Sequence, residues 1–277
     1  MGKGIFNLNQ FIGKILSMKP EEKFELESKE NICGLGTDQN VHDLSKKWVI
    51  GVSPYKWSYN FKWMGRPAIQ FPNDTFAMQE LIWQIKPDLI IETGIAHGGS
   101  LVFSASMLAL LDICEALEKG DAIDPSSSKR KVLGIDIDIR AHNRKAIEDH
   151  PLSSFINMIE GSSISTEIID EVHEFARNYK KIIVCLDSNH THEHVLSELN
   201  AFAHLIPVGS YCVVFDTLVD DMPDELSIDR PWGKGNNPKT AVREFIKNNE
   251  QFIIDESIHE KLQITVAPHG FLKKIKQ

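Results

Sequence analysis

A chain of 277 residues, 42% hydrophobic and 25% charged, can bury a sizeable core as one large α/β domain with an extension, or as two small domains. Its formal net charge of −9 excludes a general nucleic-acid-binding surface, which needs a basic stripe, though it leaves room for a small basic pocket. Cys33, Cys114, Cys185 and Cys212 form no CxxC pair and no ligand-like spacing, so neither disulfides nor a thiolate metal site is expected, and a reducing, cytoplasmic setting fits.

Met1–Lys14 carries isolated Phe and Ile residues but no apolar stretch of signal-peptide length. No segment approaches the roughly 18–20 apolar residues needed to cross a bilayer. Residues 1–80 are rich in Trp, Tyr, Asn and Pro with weak periodicity; they are expected to form an irregular N-terminal extension on the substrate side, ahead of a main domain over residues 81–277.

From Pro87 onward, apolar runs bounded by turn residues predict strands at Asp88–Thr93, Lys131–Ile137, Phe155–Glu160, Lys181–Asp187, Tyr211–Asp216, Gln251–Ile254 and Gln263–Val266. Runs apolar on both faces suit parallel strands covered by helices on each side. Helical patterns lie between them at Ser100–Leu117, Ile164–Tyr179, His194–Ile206 and Lys239–Asn249. Asp124–Arg130 reads as an exposed loop. The alternation predicts an α/β fold: a Rossmann-like, doubly wound, mostly parallel seven-stranded sheet with helices on both faces and an N-terminal extension. Such sheets bind ligands outside the carboxyl ends of their strands, so those ends are the places to inspect.

The first strand runs into Glu92-Thr-Gly94-Ile-Ala-His97-Gly98-Gly99-Ser100. Its glycines permit a tight turn and close approach of a ligand, and the helix that follows presents free N–H groups. Gly94 and Gly98 are four apart, so the GxGxxG spacing of a pyrophosphate site is absent, which disfavours a nicotinamide enzyme. Glu92 would repel a pyrophosphate but suits the ammonium of an amino-acid moiety, directly or through water; methionine-derived cofactors carry that group. About forty residues further on, Asp136 ends the second strand where a carboxylate can accept both ribose hydroxyls, with Asp138 the neighbouring candidate. Ser162 and Ser163 follow the third strand, where they either donate to an adenine ring or cap the next helix. Asp187 and Asp216 end the fourth and fifth strands, and two carboxylates there make a hard-cation site suited to magnesium. His190, His192 and His194 alternate in a turn and cannot all face one point; one or two are expected to be solvated and one, with His190 the candidate, to reach the site.

Taken together, these motifs resemble the cephalosporin hydroxylase / rhamnosyl O-methyltransferase family, a branch of the class I methyltransferases. The resemblance runs from about Trp63 to Arg243 or further: Trp63-Met-Gly65-Arg-Pro67 with Gln70 and Pro72, the Pro87–Ser100 stretch, Gly134-Ile-Asp136-Ile-Asp138, Leu186–His192, Val214–Thr217 and Pro231-Trp-Gly233. It implies that residues 81–277 are a methyltransferase-like domain binding S-adenosylmethionine through Glu92, Gly94, His97, Gly98, Gly99, Ser100 and Asp136, with magnesium near Asp187 and Asp216. Phe215 departs from the pattern, standing where relatives carry an acid, which implies one metal ligand fewer.

The function so implied is O-methyl transfer to a hydroxyl of a sugar, glycolipid or other secondary metabolite, with Asp187 and the base His190 as catalytic residues. The pocket walls are expected from Trp57–Phe76 and from Leu218–Asn237 acting as a lid, although Trp57 and Trp63 could equally staple the N-terminal segment onto the domain. The charge run Asp220–Glu225 reads as a solvated face. The expected partner is a small-molecule or glycan acceptor, with neither nucleic acid nor a membrane span, and a self-associating N-terminal arm would give a homo-oligomer. Two other classes stand beside this one: a metal-dependent oxidoreductase, or a non-catalytic cofactor-binding partner in a biosynthetic complex.

Overall fold

The computed structural model describes residues 18–122, 124 and 127–277, so Met1–Lys14 and part of the Asp124–Arg130 loop lie outside the described residues. The chain forms helices α1 (Pro20–Thr37) and α2 (Gln39–Val52), a hairpin of β1 (Phe61–Trp63) and β2 (Arg66–Ala68), and α3 (Pro72–Ile85). Then follow β3 (Leu89–Thr93), α4 (Gly99–Lys119), β4 (Lys131–Asp136), α5 (Ala141–Glu148), β5 (Ile156–Glu160), α6 (Thr166–Ala176) and β6 (Ile182–Leu186). The chain ends with α7 (His192–Phe202), β7 (Tyr211–Val214), α8 (Pro238–Asn248), β8 (Phe252–Ile254), α9 (Glu256–Leu262) and β9 (Phe271–Lys274).

The main sheet has seven strands in the order β5-β4-β3-β6-β7-β9-β8. Pairings from β5 through β7 are parallel, and β9 is antiparallel to both its neighbours. The expected doubly wound, mostly parallel sheet is therefore the observed one. Successive side chains of a strand point to opposite faces, and the two cores record it. Ile90, Ile183, Cys185 and Val213 face the layer of α3 and α4, while Leu89, Ile91, Val184 and Val214 face that of α6, α7 and α8. Leu89, Ile90 and Ile91 have no exposed surface, and each such side chain contributes on the order of 1.5–3 kcal/mol. Since β4 and β6 flank β3, the chain winds away from β3 in both directions and opens a crevice at its carboxyl end.

Several features differ from the sequence reading. The N-terminal extension is helical rather than irregular: α1 starts on Pro20 with Glu21 and Glu22 in its first turn, and α2 is capped by Asp38, whose carboxylate accepts from Asn40 and Val41 N–H. No residue of α1 is buried and it lacks the apolar stripe that a periodicity reading detects; α2 buries only Val49, although Val41, Leu44, Trp48, Val49 and Val52 recur along it at helical spacing. Helix α3 runs through residue 80, so a division there does not coincide with a break in secondary structure. The last strand is Phe271–Lys274, not Gln263–Val266. Its lysines disguised it: Lys273 and Lys274 lay their stems along the sheet, with their ammonium groups 5.7 Å from the Tyr211 and Phe252 ring centroids. Finally, α4 is long and apolar enough to span a membrane, with a mean hydropathy of 1.7; here Leu101–Leu108 is buried as the core helix behind the sheet.

Candidate active site

The loop joining β3 to α4 is shaped by close contacts that only glycine permits. Gly94 has φ +89°, and a Cβ built on it would lie 2.0 Å from the carbonyl oxygen of Asp187. A Cβ on Gly99 would lie 2.2 Å from the Pro67 carbonyl oxygen, because β2 rests on the first turn of α4. Ala96, at the tip, takes φ +46°, a conformation non-glycine residues adopt mainly where surrounding structure imposes it.

Asp136 supplies that constraint: its Oδ2 accepts from Ile95 N–H at 2.8 Å and Ala96 N–H at 3.2 Å, while Oδ1 accepts from Asp138 N–H. The carboxylate picked out for a ribose thus also clamps the glycine loop, whereas Asp138 points to solvent near Arg140. From the other side, Arg66 donates to the His97 carbonyl at 2.9 and 2.6 Å and to Asn143 Oδ1 at 3.0 Å, and His97 Nδ1 lies 3.4 Å from that same oxygen. Charge-assisted bonds of this kind contribute about 1.5–3 kcal/mol. Arg66→Ala should therefore lower the melting temperature by about 4–8 °C in a thermal melt. An unchanged melt would show that the loop does not depend on this brace.

Glu92, at the end of β3, is only 4% exposed and accepts a hydrogen bond from the Ser100 hydroxyl. Burial lifts its carboxyl from the ordinary 4.5 to about 7, and the Ser100 bond only partly opposes this. Asp187 is raised well above the usual carboxylate range, first by burial and then by Asp216, Glu92, Glu198 and Asp74. Asp216 stands at φ +55°, and His190 Nε2 lies 3.2 Å from its Oδ2. Asp187, His190 and Asp216 each offer one atom, all within 4.8 Å of one another. The two carboxylates supply oxygen ligands and the imidazole lies beside them, a donor set that fits a hard cation with a base next to it.

Two cavities meet at this point. A cleft of about 330 Å³ is lined by Gly94, Ala96, Asp136, Ser162, Asp187 and Trp232; a smaller one of about 40 Å³ is lined by Gln70, His97, Gly99, Ser100 and again Gly94 and Asp187. Of the residues singled out from sequence, Gly94, His97, Gly99, Ser100, Asp136, Ser162, Ser163 and Asp187 line one or both. Gly98 turns the chain behind them at φ +78°, and Glu92 is buried behind Ser100.

The serines and histidines need correction. Neither Ser162 nor Ser163 caps α6, whose N-cap residue is Ser165. Ser162 lines the cleft, while the Ser163 and Ser188 hydroxyls each donate to Glu198 Oε1 at 2.6 Å. His190 stands beside Asp216, while His194 is the histidine that borders the cleft. His192 is not solvated but ties α7 to α8 through Thr240 and Glu244, and His194 lies 3.4 Å from buried Glu198. Trp63 staples: its indole N–H donates to Ser106 Oγ at 3.0 Å and its ring meets Phe103 edge-on. Trp57 packs among Trp48, Phe61 and Phe71. Within the Trp57–Phe76 segment, the residues that wall the small cavity are Pro67, Ile69 and Gln70. Nor is the acidic run merely solvated. Asp220 accepts from Asn237, Gly235 N–H and Arg243, and Asp221 pairs with buried Lys239.

Residues that sequence reasoning passed over include Glu198, Asp74 and Trp232. Asp74 is fully buried, and burial lifts its carboxyl to about 7 against bonds from the Thr265 hydroxyl and Val266 N–H. Trp232 meets the His190 ring edge-on at 4.8 Å and bears on the cleft. The Pro231-Trp-Gly233 motif was the available signal for it.

Sheet order and the glycine-rich turn after β3 define a Rossmann-like α/β domain with its crevice at the carboxyl ends of β3 and β6. The chain belongs to the Rhamnosyl O-methyltransferase/CmcI family, whose description matches residues 55–275. It is 28% identical over 229 residues to a rhamnosyl O-methyltransferase of Mycobacterium leprae (strain TN), covering 79% of this chain and 87% of that protein. It is 27% identical over 226 residues to one from Mycobacterium tuberculosis, covering 79% and 82%. A solved structure of CmcI with magnesium and S-adenosylmethionine superposes with a TM-score of 0.51 at 16% identity, covering 79% of this chain and 78% of that one, which bears on the fold alone.

Proposed function

We propose that this protein transfers the methyl group of S-adenosylmethionine to a hydroxyl of a sugar or glycolipid, with magnesium held at Asp187 and Asp216. The observation that carries the reading is that Asp187 lines both cavities, so one carboxylate borders the cofactor cradle and the candidate cation site. Bound there, the cofactor supplies an electrophilic sulfonium methyl, and the cation lowers the pKa of the acceptor hydroxyl. The chain's own residues do the rest. Gly94, Gly98 and Gly99 let the cofactor approach the backbone, and Asp136 holds that loop while keeping acceptor capacity for the ribose. Ser100 and Glu92 receive the amino-acid end, and Ser162 borders the adenine position. His190, whose ring lies beside Asp216, is the base that takes the acceptor proton. Holding nucleophile and methyl in line supplies most of the rate.

The sheet-facing Phe215 is 2% exposed within the core, so it offers no ligand and leaves two carboxylates. An iron oxygenase site takes two imidazoles and one carboxylate; Asp187, His190 and Asp216 invert that ratio, which disfavours oxygenase chemistry at this strand end.

The raised Glu92 carboxyl makes the test sharp. Below about 7 the side chain is neutral, and above it the carboxylate attracts the cofactor's ammonium. Affinity for S-adenosylmethionine should therefore rise with pH through about 7, falling toward tenfold per pH unit below it. The free protein responds in the opposite sense: native Glu92 holds its proton between 4.5 and about 7, so its contribution to stability is lost as pH rises through that window. Calorimetry on wild type, Glu92→Gln and Asp136→Ala checks this, with Glu92→Gln expected to bind weakly at a pH-independent affinity. Failure of the wild-type protein to bind either S-adenosylmethionine or S-adenosylhomocysteine would sink the methyltransferase reading.

A further inference from the structure

On the far side of α9 from the sheet edge, three side chains that take no part in the proposed transfer converge in a second cleft. Glu256 and His259 are three apart on α9 and so share a face. His269 comes from the turn before β9, held at φ +64°. His259 Nε2 lies 3.3 Å and His269 Nδ1 2.9 Å from the same oxygen, Glu256 Oε2, and the two imidazole centroids are 4.3 Å apart. The three donor atoms all fall within 4.8 Å of one another.

The imidazoles of this trio converge on one carboxylate oxygen, so their donor atoms and that oxygen face a common point. As a ligand set it is well spaced: around a tetrahedral ion with bonds of about 2.0–2.1 Å, neighbouring donor atoms stand roughly 3.3 Å apart. The cleft holds about 570 Å³ and is also bordered by His42 of α2, leaving room for a fourth ligand from that imidazole or from water.

We propose that Glu256, His259 and His269 form a second metal site, one for a zinc-class first-row transition ion. Two imidazoles and one carboxylate suit zinc, nickel or cobalt, whereas magnesium prefers an all-oxygen shell, so this site and the one at Asp187 and Asp216 differ in selectivity. Its placement gives the ion a task. Pro268, next to His269, accepts the Thr217 hydroxyl at 2.8 Å, and Thr217 follows Asp216. An ion joining α9 to this turn fixes the segment on which the acceptor side of the catalytic face rests.

The experiment uses the full chain without an affinity tag, in an Asp187→Asn/Asp216→Asn background that silences the other site. Zinc chloride alone is titrated calorimetrically, and cobalt(II) is followed by its visible absorption. We expect one equivalent of zinc with micromolar or tighter affinity, a tetrahedral cobalt spectrum, and a melting temperature raised by a few degrees, about what ligation at a hundredfold excess over Kd gives. Glu256→Gln and His269→Asn should each weaken zinc binding at least tenfold; asparagine tolerates the left-handed backbone at 269, so that variant should fold. The proposal is overturned if the background protein binds no zinc and shows no tetrahedral cobalt bands. It is equally overturned if both variants, folded by circular dichroism, bind zinc as the parent does. Neither result depends on S-adenosylmethionine binding, so the outcome is independent of the methyl-transfer reading.

Discussion

Gly94→Ala is expected to abolish cofactor binding and to cost the fold on the order of 3 kcal/mol, a fall in melting temperature of about 6–12 °C. Two penalties combine. At φ +89° an L side chain is strained, which costs about 1 kcal/mol or more. The added methyl also stands 2.0 Å from the Asp187 carbonyl oxygen and 2.7 Å from its carbon, and these are backbone atoms at the end of β6 that cannot swing aside like a long side chain. Relief requires the ends of β3 and β6 to part, which displaces Asp187 and opens the cradle at once. Gly209→Ala separates the two penalties: Gly209 also sits at φ +89°, but nothing lies within 4 Å of an added Cβ. It should lose about 1 kcal/mol and bind S-adenosylmethionine as wild type does. Calorimetry and thermal melts on the pair are the measurement. Equal behaviour of the two variants would mean that the close approach of β3 and β6 plays no part in the site.

The same contact explains what was legible in the sequence. Strands β3, β4, β6 and β7 announce themselves because burial on both faces demands unbroken apolar runs, and the glycine loop because no other residue fits against the Asp187 carbonyl. What the sequence hid is what packing decides at a distance. Helix α1 buries no residue and shows no apolar period, and β9 ends in lysines whose ammonium groups rest over the Tyr211 and Phe252 rings. Alternation alone could not sort His190, His192 and His194. Their directions are set by different partners: Asp216 and Glu244, remote in sequence, and the buried Glu198 one turn along α7 from His194. Asp136 was legible as a site residue, yet its bonds to Ile95 and Ala96 N–H appear only once β4 lies beside β3. Chemistry carried by a strand end can thus be read from sequence, while the bracing that orients it cannot.

Asp187→Asn should separate stability from turnover. In the wild type this carboxyl is pushed up by burial and by the carboxylates of Asp216, Glu92, Glu198 and Asp74, so its ionised form is costly in the protein without a cation. The isosteric amide removes that cost. The variant should melt at or above the wild-type temperature near pH 8, since a carboxyl with a raised pKa destabilises the native state increasingly as pH climbs from its unfolded value through its folded one. Methyl transfer should nevertheless fall by about 10²–10³-fold in kcat, because a cation ligand beside the acceptor and half the negative field around His190 are lost. Binding of S-adenosylmethionine, held mainly by the glycine loop and Asp136, should change by no more than about threefold, a change worth under 1 kcal/mol. Magnesium should accelerate the wild type and leave the residual activity of the variant unaltered. Single-turnover transfer of labelled methyl to a sugar acceptor, alongside melts at pH 6 and pH 8, reads all of these together. Retained turnover in a well-folded Asp187→Asn protein would move the chemistry away from this strand end, and a lowered melting temperature at pH 8 would show that the ionised carboxylate is held by a partner that stabilises it.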